Sequence, residues 1–206
     1  MRFKTFALVG SALLVMAGPA LATPATLDLT ATIRDFKFDH PDFEAFIGDD
    51  RGIVQTNLGL DGKPVYAGSP TTPTTTGAAN FNQWYKDTPG VNQTTTITLT
   101  ANETAPGSGV YTYTNNAYFP IDGAFWGNQG ESHNFAFTRE IHTNFTFNGG
   151  ETFSFTGDDD VWVFINGILA IDLGGVHGPE SDSVNLNTFA LANGMTTGNT
   201  YSLDIF

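Results

Sequence analysis

The chain contains no cysteine. That absence excludes disulfide stapling, thiol nucleophiles and thiolate zinc sites together. Basic residues are scarce: 8 Lys and Arg stand against 21 Asp and Glu, for a formal net charge of −13. A surface this acidic repels phosphate backbones, so nucleic acid is not an expected partner, and it attracts cations. Charged residues of both signs make up only 14% of the chain, against roughly 25% in an average soluble domain. Beyond residue 22 no apolar run nears the roughly 20 residues that span a membrane, so no transmembrane segment is expected. The four histidines, His40, His133, His142 and His177, are dispersed and form no short-spaced zinc pair. Nucleophile elbows and metalloprotease helices are also missing. Glu151, Asp122 and Asp172 are available, but nothing pairs them as the opposed carboxylates of a glycosidase. No enzymatic activity is expected.

What is present begins with an export signal. Arg2 and Lys4 form a positive n-region, Phe6 to Ala17 an apolar stretch, and Ala20-Leu21-Ala22 a small-residue cleavage site. Residues 1–22 are therefore read as a signal peptide and set aside from the fold. Their removal takes two basic residues and no acid, moving the net charge from −13 to −15. The mature protein is expected outside the cytoplasm: extracellular, on the cell surface, or periplasmic. Residues 23–206 are expected to form one domain, cut short before its last strand, because the sequence stops at Ile205-Phe206 within an apolar alternation.

The local pattern is that of an all-β protein. Leu27, Leu29, Ala31 and Ile33 alternate with polar neighbours, which predicts a strand over residues 26–38. Runs 94–101 and 110–114 read as further strands, residues 133–138 and 140–147 as two consecutive strands, and 183–191 and 201–206 as short ones. Asp42 to Phe46 reads as a helical turn, residues 52–66 as a weak strand ending at an Asp61-Gly62 turn, and Phe81 to Lys86 as a short helix or docking segment. Residues 67–79, rich in Thr, Pro and Gly, read as an exposed loop. Short strands with frequent turn signals argue for an antiparallel sandwich or barrel with long loops and a few helical turns.

One stretch is denser in information than the rest: TFSFTGDDDVWVFINGILAIDLGGVHG, residues 152–178. It predicts a strand over 152–156, an acidic turn over 157–160, a strand over 161–165 and another over 168–172. Val161, Val163 and Ile165 face one way and Trp162 and Phe164 the other, so the middle strand is expected to be buried on both sides. Asn166-Gly167 between two apolar runs is the signature of a type I′ hairpin turn. Asp158, Asp159 and Asp160 crowd the preceding turn. Adjacent carboxylates on a tight turn suit a hard cation such as Ca²⁺, which takes six to eight oxygens. Solvated aspartates capping backbone N–H groups are the alternative. The spacing does not fit an EF-hand.

The run GDDDVWVFINGILAIDLGGVHG resembles the hallmark of the fibro-slime domain, a bacterial and amoebal relative of the PA14 domain. Ile33-Arg34-Asp35-Phe36, His40-Pro41-Asp42-Phe43-Glu44, Gly62-Lys63-Pro64-Val65-Tyr66, Trp84-Tyr85, Tyr118-Phe119-Pro120-Ile121-Asp122 and His133-Asn134-Phe135 follow its pattern in order, covering essentially residues 25–206. The resemblance implies an all-β, PA14-like antiparallel β-sandwich or barrel. In sugar-binding PA14 domains, two aspartates joined by a cis peptide hold a Ca²⁺ ion that also binds sugar hydroxyls. That role falls here on Asp158-Asp159, with Asp160 where many PA14 domains have glycine. The resemblance thus implies a secreted Ca²⁺-dependent module for adhesion to a glycan or polysaccharide. The alternative is a structural matrix or spacer domain without a ligand site. His177, on the Gly-rich loop, is read as a ligand contact or a structural histidine, and Trp126 as a sugar-stacking ring or a core residue.

Overall fold

The computed structural model describes residues 23–43 and 48–206, together with the backbone of Gly10–Val15. The signal's n-region and cleavage site, and Glu44–Phe46 of the expected helical turn, lie outside the described residues.

A long antiparallel strand ladder forms the base. β1 is Gly10–Val15, β2 Thr26–Phe36, β3 Gly48–Asp49, β4 Asn92–Glu103, β5 Val110–Asn115 and β6 Phe137–Thr146. β7 is Thr152–Gly157, β8 Val161–Ile165, β9 Ile168–Leu173, β10 Gly175–Val176, β11 Glu180–Asn185 and β12 Thr200–Ile205. Ten of them make one sheet in the order β11-β7-β1-β5-β4-β2-β6-β12-β8-β9, while β3 and β10 pair separately. β9 and β11, at opposite ends of that order, come back alongside each other, so the sheet curls on itself. The all-β expectation of a sandwich or barrel holds. No helix among the described residues is long and apolar enough to cross a membrane.

The best-formed pairing joins β2 and β4 continuously from Thr26↔Asn102 to Phe36↔Asn92. The period-two pattern explains why. Ala31 and Ile33 are fully buried inside the curl, with Leu27 and Leu29 packed beside them, while Thr30↔Thr98 and Thr32↔Thr96 pair on the other face. A one-residue slip would send every one of these apolar side chains to the wrong side.

β8 explains the double-sided run Val161–Ile165. Val161, Val163 and Ile165 join the interior core with Phe145, Phe153 and Leu203. Trp162 and Phe164 point outward, where residues 50–85 lay a second apolar layer over the sheet. There Trp162 meets Phe81 at 5.8 Å and Trp84 at 6.0 Å between ring centroids, and Phe206 packs on Tyr85 and Phe164. The hairpin turn after β8 has φ of 52° at Asn166 and 73° at Gly167, the two positive values a type I′ turn requires.

Four expectations change. Residues 133–147 are one strand preceded by irregular chain, since no turn-forming residue stands between Thr138 and Glu140. Residues 183–191 split into the end of β11 and a helix, α2, Leu186–Asn193. Asn185 caps it by accepting the Thr188 N–H at 3.1 Å, and Gly194 closes it in the left-handed region at φ 68°. The expected weak strand over 52–66 is only an isolated bridge, Val54↔Tyr66. The loop 67–79 is docked rather than solvated at its centre: Thr74 and Thr75 are 2% exposed, and Thr74 hydrogen-bonds Asp50. Phe81 to Lys86 behaves as a docking segment around a short helix, α1, Ala78–Phe81. The backbone of Gly10–Val15, a segment of the expected leader, lies in the sheet between β5 and β7.

Candidate functional site

The acidic turn is built where β7 passes into β8. Gly157 ends β7 because the chain doubles back too tightly for a side chain: a Cβ there would sit 2.2 Å from Val161 Cγ2. Asp158, Asp159 and Asp160 follow, each partly exposed, and the Asp158–Asp159 peptide bond is cis. Facing this turn is the loop after β9. Asp160 Oδ1 accepts the Gly175 N–H at 2.6 Å, and Asp159 Oδ1 accepts the His177 N–H at 2.8 Å. His177 is itself fixed by backbone, with Nδ1 2.7 Å from the Gly178 carbonyl and Nε2 3.1 Å from that of Leu173.

A third loop, around β3, locks the second. Asp50 N–H donates to the Gly174 carbonyl at 2.7 Å, and Gly175 pairs with Asp49. The close approach requires glycine at 175: φ is +124°, and a Cβ would lie 2.3 Å from the Gly48 carbonyl oxygen and 2.6 Å from the Asp50 nitrogen. Both obstacles are backbone and cannot swing away. Gly175→Ala is therefore expected to lower stability by about 2–3 kcal/mol. Urea denaturation of the two proteins checks this.

Asp172, at the end of β9, ties the site to the core. Its Oδ1 accepts from Trp162 Nε1 at 3.0 Å and from the Gly174 N–H at 3.1 Å, and its Oδ2 accepts from the Gly52 N–H at 2.9 Å. Arg51 spans the rim, donating to the Asp172 carbonyl at 2.7 Å, to Glu180 at 2.7 Å and to Asp49 at 3.2 Å. This half-exposed guanidinium contributes little stability of its own. Asp49, Asp50, Asp172 and Glu180 thus add acidic groups on the loops facing the three aspartates, and Arg51 joins His177 as a basic one.

The electrostatic consequence falls on Asp160. Burial pushes its carboxyl well above the ordinary range, and the charges of Asp159, Asp50 and Asp172 add to the push, against the lowering effect of the Gly175 N–H. Although the residue keeps some surface, neighbouring loops crowd its carboxyl. Negative charge accumulated in a crowded site is relieved by a proton or a cation.

All donors at the turn are hard oxygens, which suits Ca²⁺ and not a soft metal. Among the described residues no group of three or more His, Asp or Glu side chains converges to hold a metal alone. Backbone carbonyls, water or ligand hydroxyls would have to supply the rest of a calcium shell, which is ordinary for that ion.

The structure brings Asp159, Asp160 and His177 together. Trp126 belongs elsewhere: its backbone N–H donates to Asp35 Oδ2 at 3.1 Å and Lys37 lies 5.3 Å over its ring, on the long loop between β5 and β6. It is half-buried there. Sequence reading missed the roles of Asp50, Asp172 and Gly175. Asp49-Asp50, a second acidic pair beside a glycine, is the available signal for the facing loop.

Compared with known families, residues 104–206 match the PA14 domain. Among curated proteins, Protein psiQ of Dictyostelium discoideum is 39% identical over 186 residues, covering 84% of this chain and 18% of its own length. Protein psiD of the same organism is 39% identical over 200 residues, covering 89% of this chain and 38% of its own. Protein psiR is 38% identical over 198 residues, covering 88% and 20%. The chain thus spans well under half the length of these relatives. No solved structure matches it.

Proposed function

The chain belongs to the PA14 domain family, and on that premise we propose that it is an exported, calcium-dependent module that adheres to a glycan or polysaccharide. The narrower fibro-slime resemblance is part of the same proposal. The observation that carries it is the convergence of Asp159 and Asp160, on the turn that Asp158 opens, with the loop Gly174–Gly178 at one end of the curled sheet. Asp158 and Asp159 would hold the ion, which would supply a Lewis-acidic centre for vicinal sugar hydroxyls. The chain's own part is to fix that turn: Gly175 and His177 hold it through their N–H groups, and Asp172 anchors the loop behind it to Trp162. Many PA14 domains bind carbohydrate, and the acidic surface favours cation capture. Binding without catalysis is part of the reading, as is export through residues 1–22.

A glycan array probed in Ca²⁺ and again in EDTA tests it. Retention on a defined set of glycans that disappears in EDTA, and in the Asp158→Ala plus Asp159→Ala variant, is the expected result. EDTA-insensitive retention, or none, contradicts it.

One specific observation favours a second reading, a structural matrix or spacer domain. Asp159 and Asp160 already accept backbone N–H groups, as carboxylates do when they merely shape a turn. That reading requires the same melting temperature in Ca²⁺ and in EDTA.

A further inference from the structure

Among the described residues, β1 alone is hydrogen-bonded to both β5 and β7. It runs antiparallel to each, in six pairs from Gly10↔Asn115 to Val15↔Val110 on one side. On the other side it makes four, from Ser11↔Thr156 to Leu14↔Phe153. β5 and β7 therefore run parallel to each other, two strand widths or roughly 10 Å apart. They cannot close on one another without moving a whole strand width. Beneath the junction lies an apolar cavity lined by Leu27, Leu29, Tyr111, Tyr113, Phe153 and Ile205. Without a strand in this place, two rows of backbone groups stand unpaired above an apolar floor, an arrangement that recruits a further strand.

We propose that the seam between β5 and β7 is a strand-accepting slot. It holds Gly10–Val15 while that segment is attached. Once the segment leaves, the slot takes an extended apolar peptide strand from outside residues 23–206, antiparallel to both edges. The partner's chemistry follows from the slot: six or so extended residues, free backbone N–H and C=O groups on both sides, and apolar side chains on the face above the cavity. The proposal rests on the removal of residues 1–22 but not on calcium or glycan binding, so its test stands apart from theirs.

The absence of native cysteine makes a disulfide trap clean. In the full chain, Leu13→Cys with Ser154→Cys is expected to oxidise to a crosslinked species, because these residues are direct partners. Leu13→Cys with Ser183→Cys is expected not to, because Ser183 lies one strand further on, opposite Ser154. A protease site placed between residues 17 and 22 then allows the folded chain to be cut. After cutting, a labelled peptide spanning residues 8–17 is expected to exchange into the slot at one per chain. The same peptide carrying Leu13→Pro, which lacks a ladder N–H, is expected to bind at least tenfold more weakly. Failure of the Leu13–Ser154 crosslink, or equal uptake of the proline peptide, overturns the proposal.

Discussion

Trp162→Ala is expected to cost about 3–5 kcal/mol, a large share of the roughly 5–15 kcal/mol that stabilises an ordinary domain. Trp162 is fully buried and sits where the outer aromatic layer meets the sheet, against Phe81 and Trp84. Its loss opens a large void that neighbours anchored on separate elements cannot collapse to fill. The indole N–H also holds Asp172, which in turn holds Gly52 and Gly174. Trp162→Phe separates the two roles. It keeps most of the apolar volume and removes the hydrogen bond, so it is expected to cost less stability while loosening the Gly174–Gly178 loop. Thermal melts of both variants, with hydrogen exchange at Gly174 and Gly175, distinguish packing from positioning.

The second large effect comes from the ion network on the outer face of β6. Glu140 is 4% exposed. It accepts from Arg34 Nη1 at 2.9 Å, is bridged by Lys63, and lies 3.5 Å from His142 Nε2. Burial raises its pKa, but hydrogen bonds from His142, Lys63 and Arg34 outweigh that and hold it at about 2. Opposite Glu140's neighbour on the ladder, Asp204 is the direct cross-strand partner of His142 and sits 2.7 Å from its Nδ1. Asp204, then Glu140, push His142 up to about 9 against the opposing effect of burial. Glu140→Gln leaves Arg34, with 7% of its side chain exposed, without its buried counter-charge, and the exposed Asp87 carboxylate, 2.8 Å from Arg34 Nε, replaces it only in part. The expected loss is about 3–5 kcal/mol.

The pH dependence follows with opposite signs. Glu140's folded pKa is depressed, so its contribution is full above its unfolded value of 4.5 and is lost as pH falls toward about 2. His142's folded pKa is raised, so its contribution is full below 6.5 and is lost as pH rises through about 9. The two shifts share one interaction and do not add. His142's side chain is 43% exposed, so solvent screening makes the alkaline loss the smaller one. Stability measured by urea denaturation is therefore expected to plateau between about pH 4.5 and 6.5, to fall steeply on the acid side and gently on the alkaline side. Glu140→Gln is expected to flatten the acid limb.

Much of the fold was readable because local pattern and tertiary burial agree. β2 reads as a strand from Leu27, Leu29, Ala31 and Ile33, and those residues do face the core. The β8–β9 hairpin reads from Asn166-Gly167, whose positive φ values follow from the residue types. Where the reading failed, two patterns overlapped. Val184 and Leu186 continue the alternation of a strand, but Leu186 and Ala190, four apart, are the buried face of α2. The Asn185 cap and Gly194 stop were present and outweigh the alternation physically. The site divides in the same way. Its acidic turn is contiguous in sequence and was visible. The loop that locks it, Gly48–Gly52, lies about 120 residues away from Asp172, and no local pattern encodes that meeting. Gly175 looked like one glycine of a flexible run, yet the Asp49–Asp50 backbone packed against it makes it the least replaceable of them.

The central claim is that Asp158 and Asp159 hold a calcium ion. Isothermal titration of Ca²⁺ into the full chain measures this directly. The account predicts saturable heat from one site, abolished in Asp158→Ala plus Asp159→Ala while the circular dichroism spectrum stays that of the parent. It also predicts that at 100 times Kd the ion stabilises the parent by about 2.7 kcal/mol. No heat in the parent, or an unchanged affinity in the double variant, contradicts it.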